Sequence, residues 1–270
     1  MLLREVEYAK PSSVAEALAI LAANDGARAL AGGQTLVNVM KARAASPDAL
    51  VDLNGLEELK GIDLAADGTL SIGPMTTYAE ICGSAEARAR PILGEVCAQI
   101  ADVQVRNRGT IGGNICANDP TNHLPPLLTA IGAQMTVTGA GGDERSVPAE
   151  EFFVGVYLTA VGPGELLTRI VIPAGRHDGF AAVTLGADGT CIVNAAASVD
   201  GSLRVAVGCV GATPVLVHPA SADDDAVREA VRGAGFDAPS DVHASSEYRA
   251  HLAEVLAVRA VRQATERAGG

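Results

Sequence analysis

After Ser13 the apolar residues Val14, Leu18 and Leu21 recur at helical spacing. Ser13 and Glu16 stand three residues apart, the arrangement of a capping box, and together these signals predict a helix. A run of small apolar residues from Ala27 to Ala31 then reads as a strand and stops at Gly32 and Gly33. Behind that turn Leu36, Val37, Val39 and Met40 take up a second helical pattern, to about Arg43, and "LVDL" at 50–53 returns to strand. Strand, helix, strand in that order predicts a parallel pair.

From Leu59 the pattern changes. "TLSIGPM" at 69–75 reads as a strand, Thr77 and Glu80 form a second capping box, and 91–101 reads as a helix entered through Pro91. A glycine-rich loop spans 106–126, followed by a short helix from Leu124 to Ile131 and two strand-like stretches, "AQMTVTG" at 133–139 and "LLTRIVIP" at 166–173. Beyond Pro173, "CIVNAAASVDG" and "LRVAVGCVG" alternate as strands around Asp200, Gly201 and Ser202, a tight hairpin signal. A helix after Asp223, Asp224 and Asp225 and another from Glu247 to about Arg267 complete the pattern. The predicted class is α+β. Residues 1–173 form a two-part domain (1–57, a small α/β unit, and 58–173, an α+β unit), and 174–270 a C-terminal α/β domain with an antiparallel sheet.

Composition narrows the function. The chain has 270 residues, 48% of them hydrophobic and 19% charged, enough to bury real cores and near the size at which a single core stops growing. A net charge of -12 repels a phosphate backbone, which argues against nucleic acid as a partner. No apolar run reaches the ~20 residues of a membrane span. Arg4, Glu5 and Glu7 also interrupt the place where a signal peptide needs an apolar core, so the expected location is cytoplasmic. Cys82, Cys97, Cys116, Cys191 and Cys209 are scattered without the close pairs that hold zinc or iron–sulfur clusters, and no metal site is expected.

Two glycine loops carry the candidate chemistry. A strand that runs through Gly32 and Gly33 toward a helix presents bare backbone N–H groups to an anion, although a turn with two glycines is often purely structural. The second loop interleaves Gly109, Gly112 and Gly113 with Thr110 and Asn114, so donors and short polar side chains would surround a long ligand. One loop would grip a phosphate; two would grip a dinucleotide. Neither has the Walker pattern or the three-glycine Rossmann spacing.

Four separated stretches, "AGGQTLVNVMKAR", "QVRNRGTIGGNICANDP", "EEFFVGVYLT" and "DVHASSEYRAHLAEVLAVRAVRQA", resemble the FAD-binding medium subunit of molybdenum hydroxylases, the family of carbon monoxide dehydrogenase flavoproteins and of the FAD domain of xanthine dehydrogenase. The resemblance runs from about Tyr8 to Ala264. It implies that Ala31, Gly32, Gly33, Gln34 and Thr35 bind the FAD diphosphate, and that Thr110, Ile111, Gly112, Gly113 and Asn114 line the cofactor, with Asp119, His123 and Leu167 as further contacts. It also implies a large molybdenum-pterin subunit and a small iron–sulfur subunit as partners, in a dimer of heterotrimers. The chain would pass electrons from the partner's clusters through FAD to an external acceptor.

Three departures from the family stand out. Relatives often have Asp where "DPTNHLP" has His123; "FAAVTLGADGTCIVN" at 180–194 has none of the basic residues relatives carry there; and Thr190 or Cys191 stands near the place of an aromatic that covers the flavin ring in some relatives. A self-sufficient FAD-dependent oxidoreductase with its own small organic substrate is the alternative. A non-catalytic interaction subunit is a third reading, kept open by an aromatic content of only 3%.

Overall fold

A computed structural model describes residues 3–186 and 189–269, so that 187 and 188, in the stretch devoid of basic residues, lie outside the described residues. The chain opens with β1 (Glu7–Ala9), α1 (Val14–Ala23), β2 (Ala27–Leu30), α2 (Leu36–Lys41) and β3 (Ala49–Asp52). β2 pairs parallel with β3, as the pattern predicts, and β1 adds a third parallel strand on the other edge of β3. Three residues with an exposed Tyr8 gave β1 no readable alternation. α1 lays Ala17, Leu18 and Leu21 on Val51 and Leu53 to make the first core. Its capping box is only half formed. Glu16 N–H donates to Ser13 Oγ at 3.1 Å, while the Glu16 carboxylate accepts from Ser12 rather than from Ser13.

The second unit contains β4 (Ile62–Leu64), β5 (Leu70–Ile72), α3 (Tyr78–Gly83), α4 (Ile92–Cys97), α5 (Val103–Arg106), α6 (Ile111–Ala117), α7 (Leu124–Ala130), β6 (Gln134–Thr138), β7 (Glu144–Pro148), α8 (Ala149–Phe152), β8 (Phe153–Gly155), β9 (Leu158–Thr159) and β10 (Leu166–Ile172). Five of these strands form an antiparallel sheet in the order β4-β5-β10-β6-β7, and β8 and β9 form a separate hairpin. At Thr77 both arms of the capping box are made. Two predicted elements change. The helix predicted over 91–101 ends at Cys97, short of a left-handed Ala101, and the loop predicted over 106–126 folds into α6 behind Thr110.

The third unit has β11 (Asp178–Leu185), β12 (Thr190–Ser198), β13 (Arg204–Gly208), β14 (Val215–Val217), α9 (Asp224–Gly233) and α10 (Ser246–Gly269). Its four strands form an antiparallel sheet in chain order, with α10 packed across β11 and β12. Ser198 pairs with Arg204, so the predicted hairpin exists with a wider connection than a two-residue turn. The chain leaves the second sheet at Ile172 and enters the third at Asp178. There Arg90, 2% exposed, donates to both carboxylate oxygens of Asp178 at 2.8 Å and to the Pro173 carbonyl, joining the two units. Among the described residues no helix is long and apolar enough to cross a membrane.

Candidate functional site

The strand β2 ends at Leu30, and the chain turns through Ala31, Gly32, Gly33, Gln34 and Thr35 before α2 begins. Gly33 has a φ of 73°, a left-handed conformation that a β-carbon would strain. Gly32 is glycine for a different reason. A β-carbon there would lie 2.1 Å from the Arg108 carbonyl oxygen, because this turn packs directly on the backbone of Arg108 and Gly109. The two glycine loops, far apart in sequence, therefore meet backbone to backbone.

The carbonyls of the first turn are held from within the chain. Gln34 Nε2 donates to Gly32 O at 3.2 Å, Asn38 Nδ2 to Gln34 O at 2.7 Å, and Asn54 Nδ2 to Ala31 O at 3.0 Å. Asn54 is itself fixed by Asp52, which accepts from the Asn54 side chain at 2.6 Å and from its backbone N–H at 2.9 Å, and which also accepts from the Tyr8 hydroxyl. The N–H groups of Gly32, Gly33, Gln34 and Thr35 have no partner among the described residues, and the Thr35 side chain makes no cap bond to α2. Four neighbouring donors thus remain available while the acceptors beside them are tied down.

The second loop behaves differently from the sequence expectation. Its backbone donors are already taken: Ile111 N–H donates to Thr76 O at 3.0 Å, Gly112 to Pro74 O at 2.8 Å, Gly113 to Thr110 Oγ at 3.0 Å, and Asn114 to Thr110 O at 3.0 Å. The expectation that these N–H groups surround a ligand is corrected, because Thr110 caps a helix and consumes them. Gly112 is glycine because a β-carbon would sit 2.4 Å from Pro74 Cβ, and Gly113 because one would sit 2.9 Å from Thr110 Oγ and 3.4 Å from Ala31 Cβ. What the loop does offer is Asn114. Its side chain lies beside the buried Tyr78 phenol, whose pKa burial pushes up, and its buried Oδ1 has no partner among the described residues.

At the far end of α6, Asn118 takes a left-handed φ of 41° and donates to Gly155 O and Leu158 O in the β8–β9 hairpin. Asp119 accepts from Thr121 through one oxygen and from the Tyr157 hydroxyl at 3.0 Å through the other. Tyr157, with a φ of 55° and 61% exposed, places an aromatic ring beside this acidic group. Tyr157 lies in a stretch that resembles the family, but no spacing in the sequence marks it as a neighbour of Asp119.

His123 and Leu167 are both 4% exposed. His123 stacks on Phe180 with ring centroids 5.6 Å apart, and its ring nitrogens lie 3.5 and 3.8 Å from Cys191 Sγ. Two of the family departures are therefore neighbours in space. Leu167 packs in the core of the second unit and pairs with Val137 in the sheet. A concavity of ≈ 500 Å³ lies elsewhere, at the opposite end of the first sheet, among Arg4, Glu5, Met40 and Asp48.

The sequence profile described as "FAD binding domain in molybdopterin dehydrogenase" matches residues 4–175. The chain is 38% identical to the carbon monoxide dehydrogenase medium chain of Afipia carboxidovorans, over 97% of each chain. It is 34% identical to the glyceraldehyde dehydrogenase medium chain of Sulfolobus acidocaldarius, over 96% of this chain and 98% of that one. Among solved structures, reconstituted CO dehydrogenase from Oligotropha carboxidovorans contains a chain that superposes with a TM-score of 0.91 at 34% identity, covering 99% of this chain and 100% of its own. The profile match over most of the first two units, with relatives 34–38% identical over nearly the whole of each chain, leads to one conclusion: the chain belongs to the FAD-binding medium subunits of the molybdenum hydroxylases, a family of oxidoreductase subunits.

Proposed function

We propose that this chain holds FAD along the seam between its two glycine loops and relays electrons from an iron–sulfur subunit to an external acceptor. A large molybdenum-pterin subunit oxidises the substrate in this scheme. The observation that carries the reading is the row of unpartnered N–H groups at Gly32, Gly33, Gln34 and Thr35, which suits a diphosphate. The residues present fit the cofactor: Asn114 Oδ1 is a buried acceptor without a donor among the described residues, and a flavin carries an N–H donor. FAD, when bound, supplies reversible electron transfer.

The chain's own residues do the positioning. Asn54, anchored by Asp52, keeps the Ala31 carbonyl turned back into the protein, so that the turn faces the ligand with donors only. Gly32 lets the two backbones meet and Gly113 lets Ala31 approach, while Gly112 lets α6 close on Pro74. Thr110, Ile111 and Asn114 form the second wall, Asp119 with Tyr157 flanks it, and the buried His123 and Leu167 back it without facing solvent. Residues 1–57 and 58–173 form the two parts of the FAD-binding domain, and 174–270 the C-terminal domain. Five free cysteines suit the cytoplasm, and closed two-fold symmetry favours a dimer of heterotrimers.

The test is co-expression with a molybdenum-pterin and an iron–sulfur subunit, followed by size-exclusion chromatography and flavin quantitation. The expected outcome is one FAD per chain in a complex that also contains both partners. A flavin-free chain, or a flavoprotein that turns over an organic substrate alone, would overturn the proposal.

A further inference from the structure

The connection between β8 and β9 is built against its own turn chemistry. Gly155 pairs with Leu158, so Val156 and Tyr157 form the turn, and Tyr157 takes its second position with a φ of 55°. Gly or Asn is the usual residue at a turn position with positive φ, and a bulky aromatic is strained there. Hydrogen bonds from two sides hold the strain. Tyr157 N–H donates to the Asn118 carbonyl at 3.1 Å, Asn118 Nδ2 donates back to Gly155 O at 2.6 Å and to Leu158 O at 3.2 Å, and the Tyr157 hydroxyl donates to Asp119 at 3.0 Å. Backbone and hydroxyl of Tyr157 are therefore both fixed, and yet the residue is 61% exposed. A ring that is strained, firmly held and exposed marks a place where function has displaced the residue the turn prefers.

The place of the ring points to its ligand. Thr110, Asn114 and Asn118, spaced four apart, line one side of α6 from its first cap to its last. The beginning of α6 lies against the first glycine turn, where a β-carbon on Gly113 would sit 3.4 Å from Ala31 Cβ. Its middle carries Asn114 Oδ1, buried and without a partner among the described residues. Its end carries Asn118 and, bonded to it, Tyr157. The rise from Gly113 to Asn118 is about 7.5 Å. That is comparable with the ribose or ribityl arm that separates the diphosphate of FAD from either of its rings. Val154, Val156 and Leu158 of the same hairpin are also half exposed or more, and they extend the apolar surface around the turn.

We propose that Tyr157 is the stacking platform for a planar ring of the dinucleotide whose diphosphate occupies the donors of Gly32, Gly33, Gln34 and Thr35. The proposal rests on the reading of the seam as an FAD site and adds the part of the ligand that those donors do not grip. The backbone N–H groups hold an anion, and Asn114 Oδ1 accepts an N–H, but neither supports the face of an aromatic ring. A phenol does, in an offset stack. Because Tyr157 is already fixed through its backbone and hydroxyl, little side-chain freedom is lost when a ring settles on it. Adenine and isoalloxazine share the chemistry required, a flat π-face with an N–H donor at its edge.

The experiment uses the full chain in its co-expressed complex, freed of flavin, titrated with FAD and followed by flavin fluorescence. Tyr157→Leu keeps an apolar side chain and removes the ring, and FAD should bind about threefold to tenfold more weakly. Tyr157→Phe keeps the ring and loses the Asp119 bond, and should stay closer to the wild type than to Tyr157→Leu. Tyr157→Gly supplies the residue the turn favours. It should melt no lower than Tyr157→Leu yet bind FAD no better, which separates loss of the ring from loss of the fold. The bound flavin tells the two rings apart. Brighter emission in Tyr157→Leu than in the wild type assigns the isoalloxazine to Tyr157, and unchanged emission at the reduced affinity assigns the adenine; either result supports stacking. Equal FAD dissociation constants for the wild type and Tyr157→Leu would overturn the proposal, even if the variant sheds its partner subunits, as would a Tyr157→Phe as weak as Tyr157→Leu. A wild-type complex that takes up no FAD would overturn the FAD reading itself, and this proposal with it.

Discussion

Gly32 and Gly33 sit side by side and fail in different ways when substituted. A methyl group at Gly32 meets the Arg108 carbonyl, which is backbone and cannot swing aside, so Gly32→Ala forces the two loops apart and should cost about 1–3 kcal/mol of stability together with most of the bound flavin. At Gly33 the nearest atom is a flexible Val37 methyl at 3.2 Å, and the cost of Gly33→Ala is the left-handed φ, about 1 kcal/mol. Thermal melts and visible flavin absorbance per chain separate the two; equal losses at both positions would refute the close packing. Asn54→Ala removes the bond that holds the Ala31 carbonyl, and because a hydrogen bond contributes roughly 0.5–1.5 kcal/mol, FAD should bind about threefold to tenfold more weakly, as measured by flavin fluorescence titration. The glycine pair was legible in the sequence because two glycines between a strand and a helix mark a turn where a β-carbon is costly. Asn54 was not, since nothing about an Asn two places after an Asp says which distant carbonyl it reaches.

At the scale of elements, α6 shows where pattern reading stops. Two glycines in its first turn oppose helix formation, so the sequence reads as a loop, and the helix exists because Thr110 caps it and Thr76 and Pro74 accept from its first N–H groups. Thr110→Val keeps the shape and removes the cap; it should destabilise the protein by about 1 kcal/mol in a denaturant titration. The register shift of β12 against β11, where Val183 pairs with Val193 but Thr184 with Cys191, was invisible for a related reason: register belongs to a pair of strands and not to one segment. The start of α10 depends on Asp241, which accepts from His243 N–H, from the Arg249 guanidinium and from Ala244 N–H, and these bonds lower its carboxyl from the usual value to about 2. A carboxyl depressed in the folded state contributes stability that is complete above its unfolded pKa and fades as pH falls to the folded value. Asp241→Asn should therefore flatten the acid limb of the stability profile between about pH 4 and 2. An unchanged limb would show that Asp241 contributes nothing there.

For the whole molecule, the junction of the second and third units rests on a buried ion pair. Arg90 and Asp178 are both almost fully enclosed and bidentate, with Ser198 as a third partner. Removing one partner leaves the other charged and dry. Arg90→Ala should cost about 3–5 kcal/mol in a thermal or denaturant melt, while replacing both residues with apolar ones of similar size should recover most of it. The broad plan of this molecule, parallel unit, α+β unit and antiparallel unit, was readable from alternation and helical spacing. The salt bridge was not, because Arg90 and Asp178 each look like ordinary surface charges until the fold buries them. One consequence of the contact between Gly32 and Arg108 concerns time rather than energy. The proposed flavin seam is a product of docking, so a nascent chain emerging from the ribosome has no site when its first unit is complete. In a refolding experiment, protection of the first-unit amides should precede flavin fluorescence quenching, and adding FAD at the outset should leave the early phase unaltered.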